Sequence, residues 1–221
     1  MSSHPEPLTE WAYPVSEAEV SLGLRVFEIL VATFILVLTF PIMGLLALII
    51  RLGSPGPVLF FQTRLGISGR CFRFVKFRTL YADAKQRFPE LYKYQYSPEE
   101  LQGLKFKVYP DPRVTAQGKW LRQSSLDELP NFWNVLTGDM ALVGPRPEIP
   151  EMLPYYQREM LAKFSVRPGI TGLAQTSGRG RLRFYDTVEL DMEYVRTRSL
   201  WMDVKLIGKT VKMILLRDGA F

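Results

Sequence analysis

The sequence predicts a small membrane-docked α/β protein with a short β-hairpin, several helices and an N-terminal membrane helix. Residues 29–50 carry no charge, two aromatic-rich stretches within 58–78 flank a glycine-containing turn, and 130–136 has the pattern of a short helix. A chain of 221 residues can hold one compact domain and a membrane element. We expect three parts: a tail over 1–22, a membrane helix over 23–52 and a folded domain over 53–221.

Composition narrows the chemistry that this chain can perform. The formal net charge is +6 and the pI is about 9.4, which suits nucleic acid, an anionic membrane surface or phosphorylated substrates. Cys71 is the only cysteine and His4 the only histidine, which excludes an intrachain disulfide, a cysteine metal cluster and Ser-His-Asp catalysis. Acid–base chemistry must therefore be performed by carboxylates.

The uncharged run lies between Glu28 and Arg51 and is long enough for a helix to cross a hydrocarbon core of about 30 Å. Pro41, near its middle, cannot donate a backbone hydrogen bond and clashes with the preceding turn. Two topologies follow: a single spanning helix, or a re-entrant hairpin broken at Pro41 that enters and leaves on the same face. The strongly basic sequence after the run favours a cytoplasmic position for the folded domain.

The two aromatic-rich stretches, VLFFQTRLG and RCFRFVKFR, predict a β-hairpin. From Arg64 to Arg78 there are five basic residues and no acid, and Lys76 shares one strand face with Arg78, Phe72 and Phe74. Basic residues among aromatic ones suit a nucleic-acid surface, a phosphate pocket beside a membrane, or a solvated hairpin. The position directly after the apolar run favours the phosphate pocket.

Two adjacent acids, Asp127 and Glu128, form the most informative feature of the sequence. Arg122 precedes them, and a Gly-Pro-Arg-Pro turn that contains Arg146 follows them. Pairing two carboxylates with arginines on both sides makes electrostatic sense if a divalent metal and a phosphate share the site.

The sequence around these acids also predicts a local structure. Pro130 suits the first position of a helix and Gly138 the position just after its end, so a helix from Pro130 to Leu136 would begin beside the two acids. Ser125-x-x-Glu128 also matches a capping box, in which Glu128 would serve only the backbone.

The remaining sequence supplies weaker signals. Residues 165–181 are glycine-rich and contain Arg167 and Arg179, a composition that can cradle phosphate. Residues 80–110 predict helical pieces broken at Pro89 and Pro98, and 149–164 predict a helix interrupted at Pro154. Near the C-terminus, apolar residues recur at helical spacing with lysines between them, which fits either a core-facing or an interfacial helix; these are Trp201, Val204, Ile207, Val211 and Ile214.

Two segments together carry a family resemblance: SLDELPNFWNVLTGDMALVGPRPE and VRPGITGLAQTSGRG. They resemble the bacterial sugar transferase family, the monotopic polyprenyl-phosphate phosphoglycosyl transferases of the small form, and the likeness runs from about Val26 to the C-terminus. It implies transfer of a sugar phosphate from a UDP-sugar to undecaprenyl phosphate with release of UMP. This would be the first membrane step of exopolysaccharide, O-antigen or glycoprotein glycan assembly, at the bacterial inner membrane, with the catalytic domain on the cytoplasmic face.

The resemblance also implies roles for individual residues. Asp127 would be the nucleophile that carries an aspartyl phospho-sugar, Glu128 a second catalytic residue, and either acid a ligand of Mg²⁺. The family's membrane helix breaks at a Ser-Pro pair, and this chain has Phe40-Pro41 instead. The expected substrate- and phosphate-binding residues are Lys76, Arg78, Arg122, Arg146, Arg167 and Arg179.

The expected partners are a UDP-sugar, polyprenyl phosphate and membrane lipids, and we expect no nucleic-acid partner. The sequence is compatible with a homodimer but does not determine the oligomeric state. The alternative function is a non-catalytic, membrane-anchored protein that binds anionic lipid or RNA through its basic hairpin. That alternative gives Asp127 and Glu128 no role.

Overall fold

The structure, a computed structural model, describes residues 21–105 and 110–216; the expected tail therefore lies almost wholly outside the described residues. Helix α1 spans Leu22–Gly53, and the side chain of Ser21 caps it by accepting a hydrogen bond from Leu24 N. By length and composition α1 could cross a membrane. The helix continues through Pro41, so Pro41 does not divide it into two helices. The re-entrant topology stays a prediction.

The predicted hairpin is present. Strands β1 (Leu59–Leu65) and β2 (Cys71–Phe77) pair antiparallel, with Leu59 opposite Phe77. A second sheet, which the sequence analysis did not predict, pairs β3 (Ala141–Val143) parallel to β4 (Gly169–Thr171). Strands of three residues are too short to show a period in the sequence. The α/β expectation is thus met by two small sheets within a mainly helical fold.

The helices after the hairpin are mostly short. Prolines set their boundaries as expected in the 80–110 segment, where Pro89 and Pro98 each begin a helical piece. The predicted helix over 149–164 is instead two 3₁₀ segments, Pro150–Tyr155 and Arg158–Ser165. The α-helices are α2 (Ala84–Arg87), α3 (Pro98–Gly103), α4 (Ala116–Ser124), α5 (Phe132–Thr137), α6 (Leu173–Ser177), α7 (Phe184–Thr197) and α8 (Leu200–Leu216).

Both halves of α1 pack onto the folded domain. Near its start, Ala32 is buried in a cluster with residues of the hairpin, α5, β3 and α8. Near its end, Leu46 and Ile50 are buried against Phe77 and Leu121. The segment between these contacts exposes large apolar side chains, including Phe34 and Phe40. Helix α1 is therefore anchored at two places and apolar on its outer surface.

Candidate active site

The site is built where the hairpin meets the 3₁₀ segment Leu126–Asn131. The free edge of β2 is held by Asn134, whose side chain accepts from Val75 N at 3.1 Å and donates to Arg73 O at 2.9 Å. This amide replaces a neighbouring strand and fixes β2 against the segment that carries the two acids. Lys76 Nζ consequently lies 4.0 Å from Asp127 Oδ2.

The acids lie within the 3₁₀ segment itself, rather than just before the first residue of the short helix that the sequence predicted. Ser125 ends α4 in the left-handed conformation, with φ 58°, a costly choice for a residue other than glycine. Helix α5 begins at Phe132, two residues after Pro130, so the prediction that Pro130 opens the helix was wrong, whereas Gly138 does follow its last residue. The Ser125 side chain makes no capping bond, which excludes the capping-box alternative.

Arg122 is directed to the site by close packing of α4 on the chain after β2. Thr115 N donates to Thr79 O at 3.0 Å, and a Cβ at Gly118 would lie 2.0 Å from that same carbonyl oxygen. Only glycine permits this approach. One helical turn later, Arg122 Nε donates to Thr79 Oγ1 at 3.0 Å, and its Nη1 lies 3.5 Å from Asp111 Oδ2.

Burial and neighbouring charges move the pKa values of Asp127 and Lys76 closer to 7 than their ordinary values. Asp127 is only 5% exposed, and burial raises its pKa to about 6 against the opposing pull of Lys76. Burial likewise lowers the pKa of Lys76 to about 8, while Asp127 raises it and Arg122 and Arg146 lower it. Near pH 7 the pair is therefore mainly a carboxylate facing an ammonium group.

Glu128 lies on the open side of the site. Its Oε1 is 3.7 Å from Arg146 Nη1, and both side chains keep substantial exposure to solvent. Lys76, Arg122 and Arg146 therefore lie close enough to the two acids to interact with them, and the phosphate binding expected of these three residues stays a prediction. The arrangement leaves positive charge available to an incoming phosphate.

The carboxylates of the site can be compared with the ligands that the expected Mg²⁺ requires. In the described part of the chain, no three His, Cys, Asp or Glu side chains group as metal ligands. Mg²⁺ commonly uses one or two protein carboxylates and completes its shell with water and substrate phosphates. Asp127 and Glu128 supply the one or two carboxylates of that pattern, and a diphosphate would supply the rest.

Two of the expected phosphate ligands, Arg78 and Arg167, have partners away from the two acids. Arg78 is buried and donates to Ser54 O at 2.7 Å, to Ser54 Oγ at 2.9 Å and to Pro55 O. Arg167 Nη2 donates to Glu28 Oε2 at 2.7 Å, so this guanidinium ties α1 to the domain. The side chain of Arg179 lies outside the described residues.

Sequence reasoning missed the residues that support the site. Asp111 engages both Arg122 and Arg113, and its position two residues before Arg113 was the available signal. Thr79 and Asn134 carry no recognisable signal, because their roles depend on which segments the fold brings together.

A buried carboxylate–ammonium pair ringed by arginines, beside a helix of membrane length, defines a membrane-associated protein with a site suited to phosphate groups. The bacterial sugar transferase family model matches residues 20–217, and the chain belongs to this family. The apolar α1 and this membership together indicate membrane association.

The chain is similar to several curated bacterial proteins. The chain is 45% identical over 166 residues to the galactosyl transferase CpsE of Streptococcus agalactiae, covering 75% of this chain and 36% of that protein. It is 38% identical to an undecaprenyl-phosphate glucose phosphotransferase of Komagataeibacter xylinus, covering 97% of this chain and 38% of that one. It is 39% identical to a UDP-glucose:undecaprenyl-phosphate glucose-1-phosphate transferase of Caulobacter vibrioides, covering 94% and 75%. The chain thus spans little more than a third of the first two relatives' length.

Proposed function

We propose that this chain is a phosphoglycosyl transferase that moves a sugar phosphate from a UDP-sugar to polyprenyl phosphate. The observation that carries the proposal is the buried Asp127 carboxylate, 4.0 Å from Lys76 Nζ and next to Glu128. A buried acid with a raised pKa close to a lysine and two arginines suits covalent phosphate chemistry better than a purely structural role. Relatives named for undecaprenyl-phosphate sugar transfer support the substrate classes.

The reaction has two steps. An Asp127 carboxylate oxygen attacks the β-phosphorus of the UDP-sugar, a bond from Asp127 to phosphorus forms, and the bond to the UMP oxygen breaks. UMP leaves, and the sugar phosphate remains on Asp127. An oxygen of polyprenyl phosphate then attacks the same phosphorus, the acyl phosphate bond breaks, and polyprenyl diphosphosugar leaves as Asp127 is restored. Dividing one difficult transfer into two easier ones is the usual gain of covalent catalysis.

The surrounding charges assist both steps. Lys76, Arg122 and Arg146 offset the negative charge that develops on the transferring phosphoryl oxygens. Bound Mg²⁺ would supply Lewis-acid stabilisation of the diphosphate, held by Asp127 or Glu128. Glu128, the more exposed acid, is placed to hold that ion while Asp127 reacts.

Exposed apolar surfaces support docking on a membrane. Besides the outer surface of α1, α8 exposes Trp201, Val204 and Val211, with lysines at intervening positions. The apolar stripe of α8 therefore favours the interfacial reading of the C-terminal helix over the core-facing one. Residues of α1 and α8 belong to the same buried cluster, and both helices would present their exposed apolar surfaces to one leaflet.

The anchoring of α1 supports a re-entrant topology. Arg25, near the start of α1, donates to Val135 O at 2.7 Å and to Leu136 O at 2.8 Å, while Ile50 is buried near its end. Because the same folded domain holds both ends, the simplest placement keeps both on one face of the bilayer. The basic domain suits the anionic cytoplasmic leaflet of the bacterial inner membrane.

Release of UMP is the decisive measurement. Purified full-length chain in lipid nanodiscs is supplied with Mg²⁺, undecaprenyl phosphate and a panel of UDP-sugars, and UMP is quantified. Different relatives are named for glucose, galactose and N-acetylgalactosamine, so the panel must include all three. We expect UMP release with at least one sugar, loss of it in Asp127→Asn, and a sugar phosphate trapped on Asp127 by mass spectrometry. A non-catalytic lipid- or RNA-binding protein would release no UMP.

A further inference from the structure

The turn that carries Arg146, residues 144–148, is fixed from several sides. Its backbone atoms form hydrogen bonds with β1 and β4. A Cβ at Gly144 would lie 2.4 Å from Arg167 O in the loop before β4, so this approach requires glycine. The bonds run from Gly144 N to Thr171 O (2.9 Å), from Gly169 N to Pro145 O (2.9 Å), from Leu65 N to Glu148 O (2.8 Å) and from Arg64 Nη1 to Pro147 O (3.0 Å).

A buried polar network lies beneath this turn, and we call it the Glu148 network: Glu148, Tyr156, Lys163 and Asp191. Glu148 Oε2 accepts from Tyr156 OH at 2.8 Å, and its Oε1 accepts from Ile149 N at 3.0 Å. Lys163 Nζ donates to Tyr156 OH at 3.0 Å and lies 3.1 Å from Asp191 and 3.6 Å from Glu148. All four side chains are buried.

Such a network is costly to bury and therefore calls for an explanation. Burial alone would lower the pKa of Lys163, but the surrounding Tyr156, Asp191 and Glu148 oxygens raise it, so the lysine stays a cation. A buried ion pair is often no more stabilising than well-packed apolar residues of the same volume. The network instead holds its side chains in one defined geometry, and the side chain of Glu148 connects that geometry to the turn.

We propose that the Glu148 network positions Arg146 for the phosphate chemistry of the site. Arg146 is the turn residue whose side chain reaches the two acids, at 3.7 Å from Glu128, and 44% of that side chain is exposed. A long exposed arginine on a loose loop would sample many conformations and would have to be ordered at the moment of reaction. Fixing its backbone in advance removes part of that cost. This inference rests on the proposed function, and the network residues are positioning residues that do not contact substrate.

Two neighbouring tyrosines provide a matched pair of variants. Tyr156→Phe removes the hydroxyl that joins Glu148 to Lys163 and keeps ring packing against Phe164 and Phe184. Tyr155→Phe also removes one hydroxyl with two hydrogen bonds, to Tyr94 O and from Tyr96 N, in the same hydrophobic cluster. Only the first of these hydroxyls bonds to the turn.

The test is a double-mutant cycle on kcat/KM for UMP release, using full-length chain in nanodiscs. We expect Tyr156→Phe to lower kcat/KM about tenfold in the wild-type background, a loss in line with small misplacements of a catalytic group. In the Arg146→Ala background the same change should have an effect of less than about twofold, because there is no longer a guanidinium to position. Tyr155→Phe should change kcat/KM by less than about twofold in both backgrounds.

Thermal melting of every variant separates positioning from loss of folded protein, because kcat/KM is then compared only at temperatures at which each variant is folded. Equal fold losses from Tyr156→Phe with and without Arg146 would overturn the positioning role, as would wild-type activity in Tyr156→Phe. Absence of UMP release by the unmodified chain is a different result, because it removes the proposed function itself.

Discussion

Lys76 Nζ lies 4.0 Å from Asp127 Oδ2, and burial raises the pKa of the acid to about 6 while it lowers the pKa of the amine to about 8. The nucleophile must be ionised, so kcat/KM should rise with pH through about 6. The cation is lost as pH rises through about 8, so kcat/KM should fall there. We expect a bell-shaped profile with a maximum near pH 7, measured by UMP release at saturating lipid acceptor.

The Lys76→Arg variant tests whether deprotonation of Lys76 causes the fall in kcat/KM near pH 8. An arginine keeps its proton throughout the accessible range, so the fall near pH 8 should disappear, whatever the height of the remaining plateau. The acidic limb, which belongs to Asp127, should stay in place. An unchanged alkaline limb in Lys76→Arg would show that another group titrates there.

The same pKa shift predicts a stability gain when the nucleophile is removed. Because the folded state raises the pKa of Asp127 from 3.8 to about 6, it binds more protons than the unfolded state in that range, and stability falls as pH rises. Asp127→Asn should therefore melt several degrees higher than wild type at pH 7.5 and at nearly the same temperature at pH 3.5, where the acid is mainly protonated in both states.

Asp111→Asn is the matched control for that measurement. Burial would raise the pKa of Asp111, but hydrogen bonds from Arg113 outweigh it and lower the pKa, so the ionised form stabilises the fold. This variant should melt lower than wild type at pH 7.5. If Asp127→Asn also melts lower, the carboxylate is not destabilised by its surroundings.

The adjacent acids also predict a dependence on a hard divalent cation. EDTA should abolish UMP release, and Mg²⁺ should restore it, because carboxylate and phosphate oxygens are the ligands that Mg²⁺ prefers. Glu128→Gln should raise the Mg²⁺ concentration needed for half-maximal release at least several-fold. Full activity in EDTA would exclude the metal, and unchanged Mg²⁺ dependence in Glu128→Gln would exclude Glu128 as its ligand.

The sequence identified the charged side chains of the site, but not the contacts that hold them in place. Asp127, Glu128, Arg122 and Arg146 could be named because they lie in a local pattern of charge and turn residues, whereas the family resemblance named Lys76 and the nucleophilic role of Asp127. The supporting contacts join distant segments, such as Asn134 with β2 and Gly118 with Thr79 O, and no local pattern encodes them. The β3–β4 pair was missed for the same reason.

For Arg167, the positive charge alone was not enough to predict the partner of the side chain. It was predicted to bind phosphate, but its guanidinium is 2.7 Å from buried Glu28 at the start of α1. If the pair is structural, Glu28→Gln and Arg167→Gln should each destabilise the chain by about 3 kcal/mol. Both should leave KM for the UDP-sugar unchanged in the protein that remains folded. A rise in KM confined to Arg167→Gln would restore the predicted phosphate role.

The last prediction concerns the topology of α1. At about 1.5 Å per residue, a straight helix of 32 residues would be about 48 Å long, more than a hydrocarbon core of about 30 Å requires. Length alone therefore permits spanning. The contacts of Arg25 and Glu28 argue against spanning, because both side chains bond to the same folded domain that buries Ile50. A spanning helix would have to break these polar contacts and move both charged groups away from the domain, which is unfavourable without new partners.

Accessibility of the chain before α1 distinguishes the two topologies. Because Cys71 is exposed, the reporter Ser3→Cys is placed in a Cys71→Ser background. In intact cells it should react with a membrane-permeant maleimide and not with an impermeant one, since a re-entrant α1 keeps position 3 in the cytoplasm. Pro41→Ala restores the missing backbone donor and favours an unbroken helix, so it should increase labelling by the impermeant reagent. Glu28→Gln combined with Arg25→Gln should do so further, because it releases the start of α1 from the domain. Labelling of the Ser3→Cys reporter by the impermeant reagent with Pro41, Arg25 and Glu28 all intact would show that α1 crosses the bilayer.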